Sequence, residues 1–389
     1  MKICDLTQFY SPVGGGVRRY LQEKIAYLRA QRPDCEHILI IPGHQTTCER
    51  GERTAVYTIK SPLVSRTSRY RMLFNLGAVE TIIEREKPDV IESGDPYQLA
   101  WKAQATGEAL RIPVVGFYHS HFPEAYVRTI AKFLGSTASD AMMDLAKRYV
   151  GKLYGRFSRT FVPSAGLEKV LNEWGVRNTT VIELGVDTAV FRPDRSLQSG
   201  IHQTLGVPDG IFLLLYVGRL APEKNVKTLF AAFDQLHKKM PGRFHLHIVG
   251  DGTTRDSLEH LQEATRAVTW QKFCADSGEL AAIYRAADLF VHPGVQETFG
   301  LVALESQACG TPVVGIRGSY MDRIIFSDQS QWAAENSPEA LAGAILDASS
   351  RSDLQAIGLA ASERVRARYD WTTVFSRLFA LYESVLRSR

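Results

Sequence analysis

The sequence predicts an α/β protein made of two doubly wound parallel-sheet domains facing a central cleft. Three observations carry that expectation. Short apolar runs alternate with segments of helical spacing from end to end. At 389 residues the chain is too long for one compact α/β core and suits two. The alternation is interrupted once, between Glu183 and Gly210, by Gly185, Pro193, Ser196, Gly200 and Pro208, a linker composition. This gives a first domain over 1–190 and a second over 191–370. Ligands of such sheets bind beyond the C-terminal strand ends, so the loops that follow strands are where a site is sought.

Each element follows from its local pattern. Lys2–Leu6 reads as the first strand, Gly14–Gly16 as a loop, and Val17, Tyr20, Leu21 and Leu28 as one face of a helix. His37–Ile41 and Pro113–Tyr118 are apolar runs of strand length, and Val90–Ile91 follows a charged helix and Pro88. Phe161–Pro163 is a short strand, and Ser164 after it is placed as a helix N-cap. After the linker, Phe212–Val217, Phe244–Val249, Asp288–Val291 and Pro312–Val314 form a second strand series. The stretch from Trp371 to Leu386 is an amphipathic helix through Val374, Leu378, Leu381, Tyr382 and Val385.

Composition narrows the classes. An apolar content of 45% with 23% charged residues is ordinary for a globular chain. No run of about 18 apolar residues exists to span a bilayer, and the first residues read as a strand and not as a signal peptide. Five scattered cysteines without a CxxC pair point to a reducing, cytoplasmic setting and away from structural zinc. The net charge of +4 divides unevenly: residues 1–190 hold 25 Lys/Arg against 20 Asp/Glu, the remainder 21 against 22. That mild basicity, without a motif, gives no support to nucleic-acid binding.

Three loops have the chemistry of anion sites. Ser11–Val17 carries three glycines between a strand and a helix N-terminus, which frees backbone N–H groups for a phosphate. It is neither GxGxxG nor a P-loop. Gly218–Asn225 follows the strongest strand of the second domain. There Arg219 offers a planar fork and Lys224 a point charge, a pairing suited to a diphosphate. The third loop opens the helix in HPGVQETFGLVALESQACGTPVVG, residues 292–315. Thr298 is expected as its N-cap, leaving the amides of Phe299, Gly300 and Leu301 for an anion. Glu305 lies four residues beyond Leu301 on the same helix face, and Glu297 lies in the loop before the helix.

Together these pieces resemble the group-1, family-4 retaining glycosyltransferases of the GT-B fold, whose two domains are Rossmann-like. Glu297 and Glu305 match the family's E-x7-E motif, followed by QACGTPVVG. Val217–Arg219 with Glu223–Asn225, the first glycine loop, LGVDTAVFRP and the tract Asp276–Leu280 match in the family's order. The resemblance covers nearly the whole chain. It implies transfer of a hexose, of mannose or glucose type, from a GDP- or UDP-sugar to a hydroxyl with retention of anomeric configuration. It implies that Arg219 and Lys224 hold the diphosphate, Glu305 the ribose and Glu297 the transferred sugar. The amides near Phe299, Gly300, Leu301 and Val302 would hold phosphate and sugar, and Gly15 and Gly16 would approach the diphosphate. Phe273 and Cys274 would receive the base, and His119 would be the active-site histidine, with His121 toward the acceptor. The terminal helix, 371–389, would return to the first domain. The segment after Gly315 departs from the family's usual glycine-rich turn.

No DxD triplet is present, so no metal and no cofactor is expected, and cations and dipoles take the diphosphate charge. For the acceptor, Arg66, Arg69 and Arg71 precede one helix. Lys147, Arg148, Lys152, Arg156 and Arg159 interleave with Leu145, Tyr149, Val150, Leu153, Tyr154 and Phe157 on another. The second pattern reads as a basic amphipathic helix that could lie on an anionic membrane. A lipid or glycolipid acceptor at the membrane's inner face is the corresponding expectation. The alternatives are a GT-B-fold sugar-nucleotide epimerase or phosphorylase, and a non-catalytic sugar-nucleotide-binding protein.

Overall fold

The computed structural model describes residues 1–8, 10, 15–64, 69–119, 136–194, 198–208, 210–295, 297 and 299–388. It divides into two compact units, Met1–Leu184 with Trp371–Arg389, and Gly185–Asp370. The division falls at 184/185 and not at 190/191, and the reason is local. Val186 N–H donates to Tyr369 O at 2.8 Å, and Phe191 is fully buried with its ring 6.1 Å from that of Tyr284. Residues 185–191 are thus tied to the second unit.

The first unit is built on an eight-stranded sheet. Its strands are β1 (Lys2–Leu6), β2 (Glu36–Gly43), β3 (Thr47–Arg50), β4 (Thr54–Lys60), β5 (Val90–Ser93), β6 (Val114–Phe117), β7 (Arg159–Val162) and β8 (Thr179–Val181), in the spatial order β3-β4-β2-β1-β5-β6-β7-β8. All neighbours are parallel except β3 and β4. The central strands are covered on both faces: β6 is a continuous apolar run, and all four residues of β5, Glu92 and Ser93 included, are buried. Helices α1 (Gly16–Gln31), α2 (Leu76–Glu86), α3 (Gln98–Leu110), α4 (Ser136–Tyr154) and α5 (Ala165–Glu173) connect them, and Ser164 caps α5 by accepting from Leu167 N–H.

The second unit has a five-stranded parallel sheet. Here β9 (Phe212–Val217), β10 (Phe244–Val249), β11 (Val268–Gln271), β12 (Leu289–Val291) and β13 (Val313–Val314) run in the order β11-β10-β9-β12-β13. Its helices are α6 (Gln198–Thr204), α7 (Val226–Lys239), α8 (Arg255–Thr265), α9 (Ser277–Ala286), α10 (Leu301–Ala308), α11 (Pro338–Ser349) and α12 (Leu354–Tyr369). The first strand, β9, lies mid-sheet, with its chain successor β10 on one side and β12 on the other. That reversal opens a crevice at the C-terminal ends of β9 and β12. Gly218 and Gly250 let the loops after β9 and β10 meet. Both have positive φ, and a Cβ on Gly250 would lie 1.8 Å from Gly218 O.

The last helix, α13 (Trp371–Arg387), belongs to the first unit and lies along α1. The rings of Tyr27 and Phe379 are 5.3 Å apart, and Arg32 pairs with Glu383 at 2.9 Å. Beneath it lies a charged network buried in the sheet. Lys24, fully buried, meets Asp5 at 2.8 Å and Glu92 at 3.2 Å; Tyr20 and Tyr382 donate to Glu92 at 3.0 and 2.5 Å, and His37 meets Asp5 at 2.5 Å.

Two histidines on β10 give a pH prediction. His245 and His247 share a sheet face, and both reach Thr269 Oγ1, at 3.0 and 2.9 Å. Burial pushes both imidazoles down, His247 to about 4. Below the unfolded value near 6.5, the unfolded chain takes protons that the folded chain refuses. Stability is therefore expected to fall as pH drops from about 6.5 to 4, by roughly 3 kcal/mol for His247. Denaturation of the wild type and of His247→Gln across that window checks it. Equal slopes would remove His247 as the cause.

Candidate active site in the second unit

The best-formed constellation sits at the β9/β12 crevice, on two loops that a side chain ties together. After β9 the chain runs Gly218, Arg219, Leu220, Ala221 and then a single 3-10 turn, Pro222–Lys224. Asn225 ends that turn with φ 57°, a left-handed conformation Asn tolerates. Its amide donates to Pro293 O at 2.9 Å and to Asn336 Oδ1 at 2.7 Å. The loop after β12 is thereby held against the loop after β9.

This closure brings Lys224 Nζ to 2.5 Å from Glu297 Oε1. Both side chains are mostly buried, with 25% and 16% of their surface exposed. Burial works to raise the Glu297 carboxyl, but Lys224, His292 and Arg219 outweigh it and hold it below the ordinary range. Tyr216 on β9 donates to Arg219 O at 3.0 Å and stiffens the turn. Arg219 itself is 62% exposed and pairs with Glu223 at 3.1 Å, a surface contact of small energetic weight.

The helix next to this pair differs from expectation in its first turn. Helix α10 begins at Leu301, and its N-cap is Gly300 at φ 83°, so the cap is not Thr298, which lies outside the described residues. Gly300 is required there: a Cβ would lie 2.3 Å from Met321 Cε. Gly300 O takes the N–H groups of Ala303 and Leu304, so Leu301 and Val302 contribute the leading amides. Phe299 is 4% exposed, with its ring 6.1 Å from Tyr369, so its side chain belongs to the core. Glu305, 6% exposed, accepts from Tyr284 Oη at 3.1 Å. Phe273 follows β11 and is 55% exposed. The Cys274 thiol contacts Asp276 O at 3.4 Å and is pushed up to about 12 by burial and by Glu279.

The remaining sequence candidates lie in the first unit. Gly15 is the N-cap of α1 at φ 119°, Gly16 is its first residue, and no acidic side chain stands in that first turn. His119 follows β6, stacked on Phe117 at 4.0 Å and edge-on to Tyr20 at 4.8 Å. The residue keeps intermediate exposure, yet burial of the ring and the nearby Lys24 push its pKa down to about 3. It is therefore a neutral imidazole at pH 7. His121 and Arg66 lie outside the described residues. The α4 reading needs correction. Val150, Leu153 and Tyr154 on the helix and Phe157 after it are in the first unit's core, so this apolar stripe meets the sheet and not a membrane, and Leu145 stays exposed at 68%. Lys147 pairs with Asp144 at 3.1 Å, Arg156 covers the Trp101 ring, and Arg148 and Lys152 remain exposed.

Comparison with known proteins fits this geometry. The model of the glycosyl transferases group 1 matches residues 198–359, and that of glycosyltransferase family 4 matches residues 14–190. The chain is 32% identical over 359 residues to the GDP-mannose-dependent alpha-(1-6)-phosphatidylinositol dimannoside mannosyltransferase of Mycobacterium tuberculosis, covering 91% of this chain and 89% of that protein. It belongs to the group-1, family-4 glycosyltransferases. This glycosyltransferase is also 31% identical over 275 residues to the alpha-monoglucosyldiacylglycerol synthase of Streptococcus pneumoniae, covering 69% and 60% of the two chains. Among solved structures, the sucrose-phosphate synthase of Thermosynechococcus elongatus superposes with a TM-score of 0.77 at 20% identity over 100% of both chains. The two parallel-sheet α/β units are those of the GT-B fold. No helix among the described residues is long and apolar enough to cross a membrane.

Sequence reasoning did not single out Asn225 as a hinge between loops, nor His292 beside Glu297. For Asn225 the signal was present, since Pro-Glu-Lys-Asn is a turn that ends on a residue tolerant of positive φ.

Proposed function

We propose that this glycosyltransferase moves a mannosyl group from GDP-mannose to a hydroxyl of a lipid-linked acceptor, retaining the anomeric configuration and using no metal ion. The observation that carries the reading is the Lys224–Glu297 pair, set beside the α10 amides at the switch point of the second sheet. A cation, a carboxylate and a helix N-terminus in one crevice match a nucleotide sugar: diphosphate on Lys224, Arg219 and the Leu301 and Val302 amides, sugar hydroxyls on Glu297. Glu305 takes the ribose hydroxyls, and Phe273 with Cys274 borders the base. The donor and acceptor follow the mycobacterial relative, whose name carries GDP-mannose and a phosphatidylinositol mannoside. In the reaction the bond from the sugar's anomeric carbon to the phosphate oxygen breaks, and the acceptor oxygen bonds that carbon on the same face. The acceptor proton passes to the departing phosphate.

A lipid acceptor is supported by a surface other than α4. Leu63, Val64 and Phe74 are 45%, 63% and 67% exposed and flank Arg69 and Arg71, with Val64 N–H bonded to Tyr70 O at 2.8 Å. Apolar side chains beside arginines suit the headgroup region of an anionic bilayer. Val64→Asp with Phe74→Asp is expected to lower binding to phosphatidylinositol-containing vesicles at least about fivefold, as each lost apolar anchor weakens partition. Unchanged vesicle binding would sink the membrane reading.

A thermal-shift panel of GDP, UDP, ADP and their sugars in EDTA, on wild type and Glu305→Ala, tests the donor. Ligand at 100 times its Kd stabilises by about 2.7 kcal/mol. A shift with GDP and GDP-mannose, lost in the variant, supports the proposal. A shift with UDP-sugars alone would move the donor to that class, and none with any nucleotide would end the transferase reading.

A further inference from the structure

The loop after β12 holds a histidine that the reading above leaves without a task. His292 N–H is bonded to Val314 O at 2.9 Å, which fixes the residue at the strand end. Its side chain is 4% exposed. Its ring sits between two glycines: a Cβ on Gly294 would be 3.0 Å from Cε1, and one on Gly300 would be 4.0 Å from Nε2. Nε2 lies 3.9 Å from Glu297 Oε1, the oxygen that Lys224 holds. Nδ1 is buried with no hydrogen-bond partner among the described residues.

These facts suggest a task. With its proton on Nε2 the ring faces Glu297 with a donor and leaves only a bare ring nitrogen at Nδ1. The Lys224 ammonium has three N–H donors to divide between Glu297 and a diphosphate. When a diphosphate draws Lys224 toward itself, Glu297 loses its shortest contact while it must still orient sugar hydroxyls. A buried carboxylate needs a replacement hydrogen bond, and His292 Nε2–H is about 1 Å beyond reach.

We propose that His292 is a positioning residue that takes over the Glu297 carboxylate when Lys224 turns to the diphosphate, and so holds Glu297 for the transferred sugar. The proposal rests on the nucleotide-sugar reading given above.

The test uses the full chain as wild type, His292→Gln, His292→Asn and His292→Ala. Gln places an N–H donor where Nε2 stands, whereas Asn reaches only as far as Nδ1. Binding of GDP, which lacks the sugar, is expected to stay within about threefold of wild type in all four proteins, because its diphosphate contacts are untouched. With GDP-mannose, kcat is expected to fall about 10²-fold in His292→Asn and His292→Ala, as for a group misplaced by about 1 Å. His292→Gln is expected to recover most of that loss. Equal kcat in Gln and Asn, or loss of GDP and GDP-mannose binding together, would overturn the proposal, the Gln–Asn contrast standing even where Ala fails to fold. Failure of the wild type to bind any nucleotide would instead overturn the functional reading, and this proposal with it.

Discussion

Lys224→Ala is expected to lower kcat/KM by about 10²–10³-fold, the usual cost of removing one preorganised group that meets developing charge. Two effects add. The diphosphate loses a cation that is only 25% exposed and so acts in a poorly screened setting. Glu297 also loses the partner that keeps its buried carboxylate ionised, so its pKa rises and part of it protonates. The sign is testable. With Lys224 present, the depressed Glu297 carboxyl stays charged well into acid; without it, activity lost to Glu297 protonation sets in at higher pH. Lys224→Arg keeps the charge but replaces a point cation by a planar fork, and is expected to recover only part of the activity. Arg219→Ala is expected to cost less, because Arg219 is 62% exposed and its partner Glu223 is also at the surface. Steady-state kinetics across pH 5–8 on the three variants decide the matter. If Arg219→Ala were as damaging as Lys224→Ala, the buried pair would not be the centre of the site.

The features most open to a reader of the sequence were those that chemistry confines to few residue types. Glu297, Arg219 and Lys224 stand out because they lie on glycine-containing loops beyond apolar strands, where parallel sheets bind their ligands. Strand β9 stands out because burial on both faces demands an unbroken apolar run, which β10 departs from only at His245 and His247. The missed elements have physical reasons. Strand β3, Thr47–Arg50, is exposed at every residue and carries no apolar signal. Strand β8 has three residues of intermediate burial. The α4 face misled because an apolar stripe looks the same whether it meets a sheet or a bilayer; only Tyr118, Val150 and Phe157 in one cluster show which. The packing of the Phe299 ring on Tyr369 had no sequence sign, since a glycine-flanked loop aromatic looks the same packed or exposed. Thr298 was preferred as a cap on side-chain chemistry, but the backbone turns at Gly300, where Met321 leaves no room for a Cβ.

Lys24→Met is expected to destabilise the first unit by about 3–5 kcal/mol, the usual cost of leaving a buried charge without its partner. Among the described residues Lys24 is the one cation paired with both Asp5 and Glu92, at 2.8 and 3.2 Å, and all three side chains are at most 2% exposed. Burial works against the Asp5 carboxylate, but Lys24 and His37 more than offset it and hold its pKa down. Burial pushes Glu92 up, so Asp5 is the carboxylate that depends most on Lys24. A depressed Asp contributes stability above its unfolded pKa and loses it as pH falls through the folded value. The gap between wild type and Lys24→Met should therefore be full at pH 7 and narrow in acid. Because Tyr382 on α13 donates to Glu92, the terminal helix should loosen with the network and become open to trypsin at Arg377 and Arg387. For a unit of this size the fall in Tm is about 6–20 °C, at 2–4 °C per kcal/mol. Adding Asp5→Asn separates charge from packing. If the loss comes from an uncompensated carboxylate, the double variant regains part of it; if from the Lys24 stem against Tyr20 and Tyr382, it regains none. A Lys24→Met protein with wild-type Tm at pH 7 would mean that water or rearrangement relieves Asp5, and that the network does not anchor α13.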